Sequence, residues 1–165
     1  MFLIYNFTVT LFLAGLLASC FCILRARKSL SQEIVVDQLL KWFVLFSVGI
    51  SYLMNAVFHT LLAEQTAKFI GWANSPFQLE VGFASLGFSI VGFIAFKGNW
   101  LAKVCAVVGP SCFLLGAAGG HIYQMVINNN FAPGNAGSVF YADLFLPAFG
   151  LTLLYLSRQS RNNKR

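Results

Sequence analysis

Apolar residues run along this chain in five long stretches, each separated from the next by a short polar interval. A helix needs about 20 residues, at about 1.5 Å each, to cross the apolar core of a bilayer. The pattern predicts spans over residues 2–24, 35–63, 76–96, 100–127 and 139–156. The first ends at Arg25, Arg27 and Lys28, and the second carries Asp37 and Lys41 near its start, i,i+4 neighbours placed to pair. Residues 64–74 are too polar to cross, but Phe69, Ile70 and Trp72 beside Lys68 predict a short interfacial helix or loop. Ser75-Pro76-Phe77-Gln78 reads as a helix start, with Ser75 as N-cap, Pro76 at the first helical position and Gln78 as the reciprocal capping partner. Lys97-Gly98-Asn99 predicts a tight turn, Gly109-Pro110 a kink in the fourth span, and residues 128–138 a polar loop. Residues 157–165 form a basic tail.

Composition sharpens this picture. The chain is 58% hydrophobic and 10% charged, with a mean hydropathy of +0.74, whereas soluble domains are about 25% charged. A disordered chain, a coiled coil and an ordinary soluble enzyme are excluded. The fold class is all-α, an integral membrane bundle of five transmembrane helices in one domain. Leu17-Ala18-Ser19-Cys20 looks like a lipoprotein cleavage box, but no positive charge precedes it and the apolar run continues to Leu24, so it reads as part of the first span. Cys20, Cys22, Cys105 and Cys112 all lie in apolar runs without a C-x-x-C spacing and read as small hydrophobes.

The net charge of +6 sits between the apolar runs and at the C-terminus. With the N-terminus outside, the inner segments hold Arg25, Arg27, Lys28, Lys41, Lys97, Lys103, Arg158, Arg161, Lys164 and Arg165, and the outer segments hold Lys68. Ten against one predicts the N-terminus out and the C-terminal tail in the cytoplasm. The partner this charge pattern implies is a lipid bilayer. No nucleic-acid motif accompanies it.

Polar groups inside a span are expensive and mark function or helix–helix glue. Counting along the predicted spans places His59, Glu80, His121 and Asp143 on four different helices in the outer third of the membrane. Ser51, Asn55 and His59 share one face of the second span, and His121, Gln124 and Asn128 share one face of the fourth. Two imidazoles and two carboxylates converging in this way suit a divalent metal held by Glu80, His121 and His59. They suit equally a small-ligand site, an ion or proton path, or a structural polar cluster. Haem gripped by His59 and His121 ranks below a metal ion. No nucleophile stands beside the histidines in a recognisable order, so an enzyme ranks last. The uncharged loop at 128–138, with four Asn and two Gly between Asn128 and Gly137, is expected to cap helices or to supply amides to the site below it.

Small residues mark packing faces. Gly116 and Gly120 form a Gly-x-x-x-Gly pair, and Gly82, Ala84, Ser85, Gly87, Ser89 and Gly92 form a small-residue pattern in the third span. Spans three and four are therefore expected to pack closely, bringing Glu80 to His121. Faces of this kind also suit a homo-oligomer, or a subunit or assembly factor of a larger membrane complex.

Three segments carry a resemblance: Ile70-Gly71-Trp72 through Ser75-Pro76-Phe77-Gln78-Leu79-Glu80-Val81-Gly82, Gly119-Gly120-His121-Ile122, and Asn130-Phe131-Ala132-Pro133-Gly134-Asn135-Ala136-Gly137. Together they resemble a family of small bacterial and archaeal integral membrane proteins of unknown function, over about residues 35–156. The resemblance implies a prokaryotic inner membrane and no particular reaction. The reading that emerges is a non-enzymatic inner-membrane protein with a polar ligand or ion site using Glu80, His121, His59, Asp143, Asn55 and Gln124. A channel or carrier, or a complex subunit, stands as the alternative.

Overall fold

A computed structural model of the chain describes residues 6–162, and every regular element among them is a helix. In chain order these are α1 (Phe7–Arg25), a 3-10 turn (Arg27–Ser29), α2 (Gln32–Thr60), α3 (Ala63–Ile70), α4 (Phe77–Lys97), α5 (Trp100–Asn128), α6 (Pro133–Ala136) and α7 (Ser138–Asn162). Helices α1, α2, α4, α5 and the α6–α7 stretch Pro133–Ser160 are long and apolar enough to cross a membrane. The expected start of the first span at Phe2 lies outside the described residues.

Local chemistry explains most boundaries. Ser31 caps α2 by accepting from the Ile34 amide at 3.3 Å, and Asn99 caps α5 by accepting from Ala102 at 3.1 Å. The turn between α4 and α5 is tight: a Cβ on Gly98 would stand 2.8 Å from Ala102 Cβ and 2.9 Å from the Ile94 carbonyl. Gly71 ends α3 at φ +74°, in the left-handed region that glycine adopts without strain. Helix α5 runs on through Pro110, and Tyr52 Oη on α2 donates to the Pro110 carbonyl at 3.3 Å.

Several sequence expectations change. The capping box at α4 is not formed: Pro76 is the N-cap without a side-chain cap bond, and Gln78 turns inward to His59. Asp37 and Lys41 do not pair. Asp37 Oδ1 accepts from Ser157 Oγ at 3.4 Å, and the Lys41 ammonium lies 5.0 Å from the centre of the Phe96 ring. Helix α7 continues through Ser157 to Asn162, so the start of the expected basic tail is helical.

The small-residue stripe of α4 packs on α2 rather than on α5. A Cβ on Gly92 would meet the Gly49 amide nitrogen at 2.5 Å, and one on Gly82 would meet Thr60 Cγ2 at 2.4 Å. Ser89 Oγ donates to the Gly49 carbonyl at 2.7 Å and Asn55 Nδ2 to Ser85 Oγ at 2.9 Å. Gly49 lies in a π-helical stretch, Val44–Ile50, that widens α2 at this crossing.

The distribution of residue types is inverted relative to a protein in water. Ser85 is fully buried (0%), with Ser19 and Ser89 close to it, whereas Leu17 is 72% exposed and Phe21, Phe83 and Ile94 also face outward. Small residues inside and large apolar ones outside are what a lipid solvent selects. The apolar core of Leu40, Val44, Ala95, Ala106 and Val107 sits toward the Gly98 end of the bundle.

Candidate functional site

At the other end, where α3 and α6 lie, the helices line a half-open cavity of about 620 Å³. Its wall is mostly apolar. Its polar groups include Tyr52, Asn55, His59, Gln78, His121 and Asp143. Ser51, Asn55 and His59 all line it, so the shared face read from their spacing on α2 is the face turned inward. Gly116, Ala117 and Gly120 on α5 line it as well. A Cβ on Gly116 would find nothing within 4 Å among the described residues, so at this position α5 leaves room in the cavity wall and no helix of this chain packs on it.

Behind the cavity wall stands Asn135, fully buried (0%) and the hub of the hydrogen bonds that position His121. Its Nδ2 donates to the carbonyls of His121 (3.2 Å) and Asn130 (2.8 Å), which can only accept. Its Oδ1 accepts from the Trp72 indole N–H at 2.8 Å, which can only donate. The amide orientation is thereby fixed from both sides. The same Oδ1 lies 2.8 Å from His121 Nδ1, so Nδ1 carries a hydrogen. The other ring nitrogen, Nε2, faces Asp143 Oδ2 at 3.5 Å, with both side chains buried. Two bare acceptors there would repel, and an unpaired buried carboxylate is costly. A single proton shared by the two groups would remove both penalties and leave the pair without net charge.

The surroundings hold this arrangement rigidly. The Trp72 ring lies 5.3 Å from the His121 ring, and a Cβ on Gly120 would meet it at 3.2 Å. Asn130 Nδ2 donates to the carbonyls of Ile70 and Gly71 at 3.1 and 3.0 Å, fastening the α5–α6 loop to the end of α3. A Cβ on Gly134 would fall 2.7 Å from the Phe69 ring, so the loop reaches α3 only as glycine. On the opposite wall, His59 Nδ1 is hydrogen-bonded to Gln78 Oε1. Ser47 Oγ also lines the cavity and, at 2% exposed, has no hydrogen-bond partner among the described residues.

The expected residues divide. His59, His121, Asp143 and Asn55 line the cavity. Glu80 does not: it is exposed on the outer face of α4, so the carboxylate beside His121 belongs to Asp143. Gln124 also stays outside, accepting from Asn128 Nδ2 at 2.9 Å. The proposed metal set of Glu80, His121 and His59 is therefore not assembled. Among the described residues, no three His, Cys, Asp or Glu side chains gather as a metal site.

Residues 5–163 match a family described as "Family of unknown function (DUF6790)". The chain belongs to this family. No curated protein and no solved structure matches the chain. Family membership brings no activity with it, so the chemistry rests on the cavity.

Sequence reasoning missed Asn135, Gln78, Trp72 and Ser47 as site residues. For Asn135 a signal existed. Pro133 at a helix start, directly followed by Gly134 and Asn135, offers a short helix whose one amide can turn inward. For Ser47 there was none, because its placement depends on the π-helical stretch of α2.

Proposed function

We propose that this member of the family is a multi-pass inner-membrane protein that binds a small, largely apolar molecule in the cavity of its outer half, anchored by His121 and Asp143. The observation that carries this reading is the cavity itself. Ligand sites typically enclose about 300–1,000 Å³, apolar walls and a few convergent polar groups, and this one has about 620 Å³ with six such groups named above. The placement in the outer leaflet follows the charge distribution: Lys68 is the basic residue at the α3 end, while Arg25, Arg27, Lys28, Lys97 and Lys103 cluster at the other.

An open pore has less support. The next void shares Ser47, Tyr52, Leu114 and Leu146 with the cavity and holds about 10 Å³, roughly one water's worth of space. So narrow a continuation supports a ligand site over a through-going pore.

The reading is tested by titrating triphenylphosphine oxide, an apolar body with an acceptor head, into protein in nanodiscs. Trp72 lines the cavity, so its emission reports occupancy. Saturable quenching at one molecule per chain, lost in Gly116→Leu, is expected. No saturable change, or an equal change in Gly116→Leu, overturns the reading.

A further inference from the structure

The cavity's wall chemistry narrows its ligand, on the footing that it is a ligand site at all. Its lining contains seven aromatic side chains, Trp72, Phe58 and Phe69 among them, and no Lys or Arg. Its single acidic group is Asp143. Aromatic faces and a carboxylate both attract positive charge, and aromatic cages are a recurrent way to hold ammonium-type cations. An anion would find no opposite charge there. A hard divalent ion would find too few oxygen ligands.

We propose that the cavity takes a lipophilic organic cation, and that each cation displaces the one proton held between His121 and Asp143. In the empty site the pair has no net charge. When the cation enters, the proton leaves for solvent, Asp143 stands as a carboxylate paired with the cation, whose charge offsets the repulsion from the bare Nε2, and His121 remains neutral with its Nδ1–H on Asn135. One positive charge enters as one departs, so the buried site stays uncharged overall. No other bond is made or broken. The amide of Asn135 prevents the imidazole from turning its N–H toward Asp143, and so leaves the shared proton as the exchangeable one.

The other titratable groups facing the cavity are Tyr52 and His59 on α2 and Cys112 on α5. Tyr52 donates to the Pro110 carbonyl and His59 is held by Gln78. On α3, Glu64 and Lys68 pair with each other on the exposed face, and Glu80 on α4 points outward. The exchange is therefore assigned to the His121–Asp143 pair.

The test uses tetraphenylphosphonium and tetraphenylborate, ions of nearly equal size and opposite charge, with calorimetry of the full chain in zwitterionic nanodiscs. Repeating the titration in two buffers of different ionisation enthalpy counts protons. The expected result is saturable phosphonium binding, no saturable borate binding, and about one proton released per cation. Affinity then rises by about tenfold per pH unit while the pair is protonated, as linkage of one proton requires. Asp143→Asn is expected to weaken phosphonium binding by about tenfold or more and to abolish proton release. Asp143→Glu is expected to retain both. If Asp143→Asn fails to fold, the wild-type charge preference and proton count decide alone. Equal binding of the two ions, or cation binding without proton release, overturns the inference. Triphenylphosphine oxide separates the two levels: if it binds and the phosphonium does not, the cavity stands and the cation assignment falls; if neither binds, both fall.

Discussion

Toward the Gly98 end of the bundle, Leu40 and Val44 of α2 and Ala106 and Val107 of α5 lie in one filled apolar core, and Gly92 is pressed against backbone. Toward the α3 end, the same two helices stand apart around a cavity, and Gly116 on α5 faces open space. Gly92 and Gly116 show the difference. The first lets two backbones touch, and the second leaves a volume unfilled. The closed half is held by packing. The open half is held by hydrogen bonds, with Asn135 alone joining α6, the α5 end and Trp72. Glycine content alone therefore does not distinguish a packing face from a cavity wall.

The comparison can be broken from either side. Leu40→Ala opens a void in the closed half and is expected to cost about 2–5 kcal/mol of stability, read from thermal unfolding in detergent. Asn135→Ala leaves the Trp72 indole, His121 Nδ1 and two carbonyls without their partner. It is expected to cost about 2–4 kcal/mol, since each buried unpaired group carries about 1–3. Gly92→Ala forces α4 away from α2 and is expected to cost about 1–3 kcal/mol. Gly116→Ala meets nothing and is expected to stay within about 0.5 kcal/mol of wild type. A Gly116→Ala penalty as large as that of Gly92→Ala would erase the distinction between the two halves. Glu80→Gln is expected to change neither stability nor probe binding, because the side chain is exposed on the outer face of α4.

The smallest effect concerns α3, which roofs the cavity. Glu64 lies beside Lys68, Nζ to Oε1 2.8 Å, and that hydrogen bond and charge hold its carboxyl below the usual range. A depressed carboxyl stabilises the folded form above its unfolded value, and that contribution is lost as pH falls through the folded value. Lys68→Met is expected to remove this acid-range dependence and leave the rest of the melting profile unchanged.

Much of the fold was legible because lipid imposes a simple rule: length and apolarity define a crossing helix. Which helix meets which was not. Of the small residues on α4, Gly82, Ser85, Ser89 and Gly92 form a packing face, but Ala84 and Gly87 are exposed, and the face meets α2 where α5 was expected, because small residues name no partner. Glu80 illustrates a second failure. Asp143 and Glu80 stand at similar depths by count, yet depth says nothing of rotation. Gln78, Gly82, Ser85, Ser89 and Gly92 form the inward stripe of α4. Glu80 lies two residues, about 200°, from both Gln78 and Gly82, so it points outward. The pairing of His121 with Asp143 and the burial of Asn135 depend on the docking of α6 against α3, a contact between segments some 60 residues apart.

The α3 end is assigned an open, ligand-accessible cavity walled by α5. Cys112 lines that cavity, whereas Cys105, two turns earlier on the same helix and also exposed, does not. The most direct measurement compares maleimide labelling rates of two single-cysteine proteins, one retaining Cys112 and one retaining Cys105, with and without triphenylphosphine oxide. The account expects Cys112 to label faster and to be protected by the probe, with Cys105 unaffected. Equal rates at the two positions, or no protection of Cys112, would contradict it.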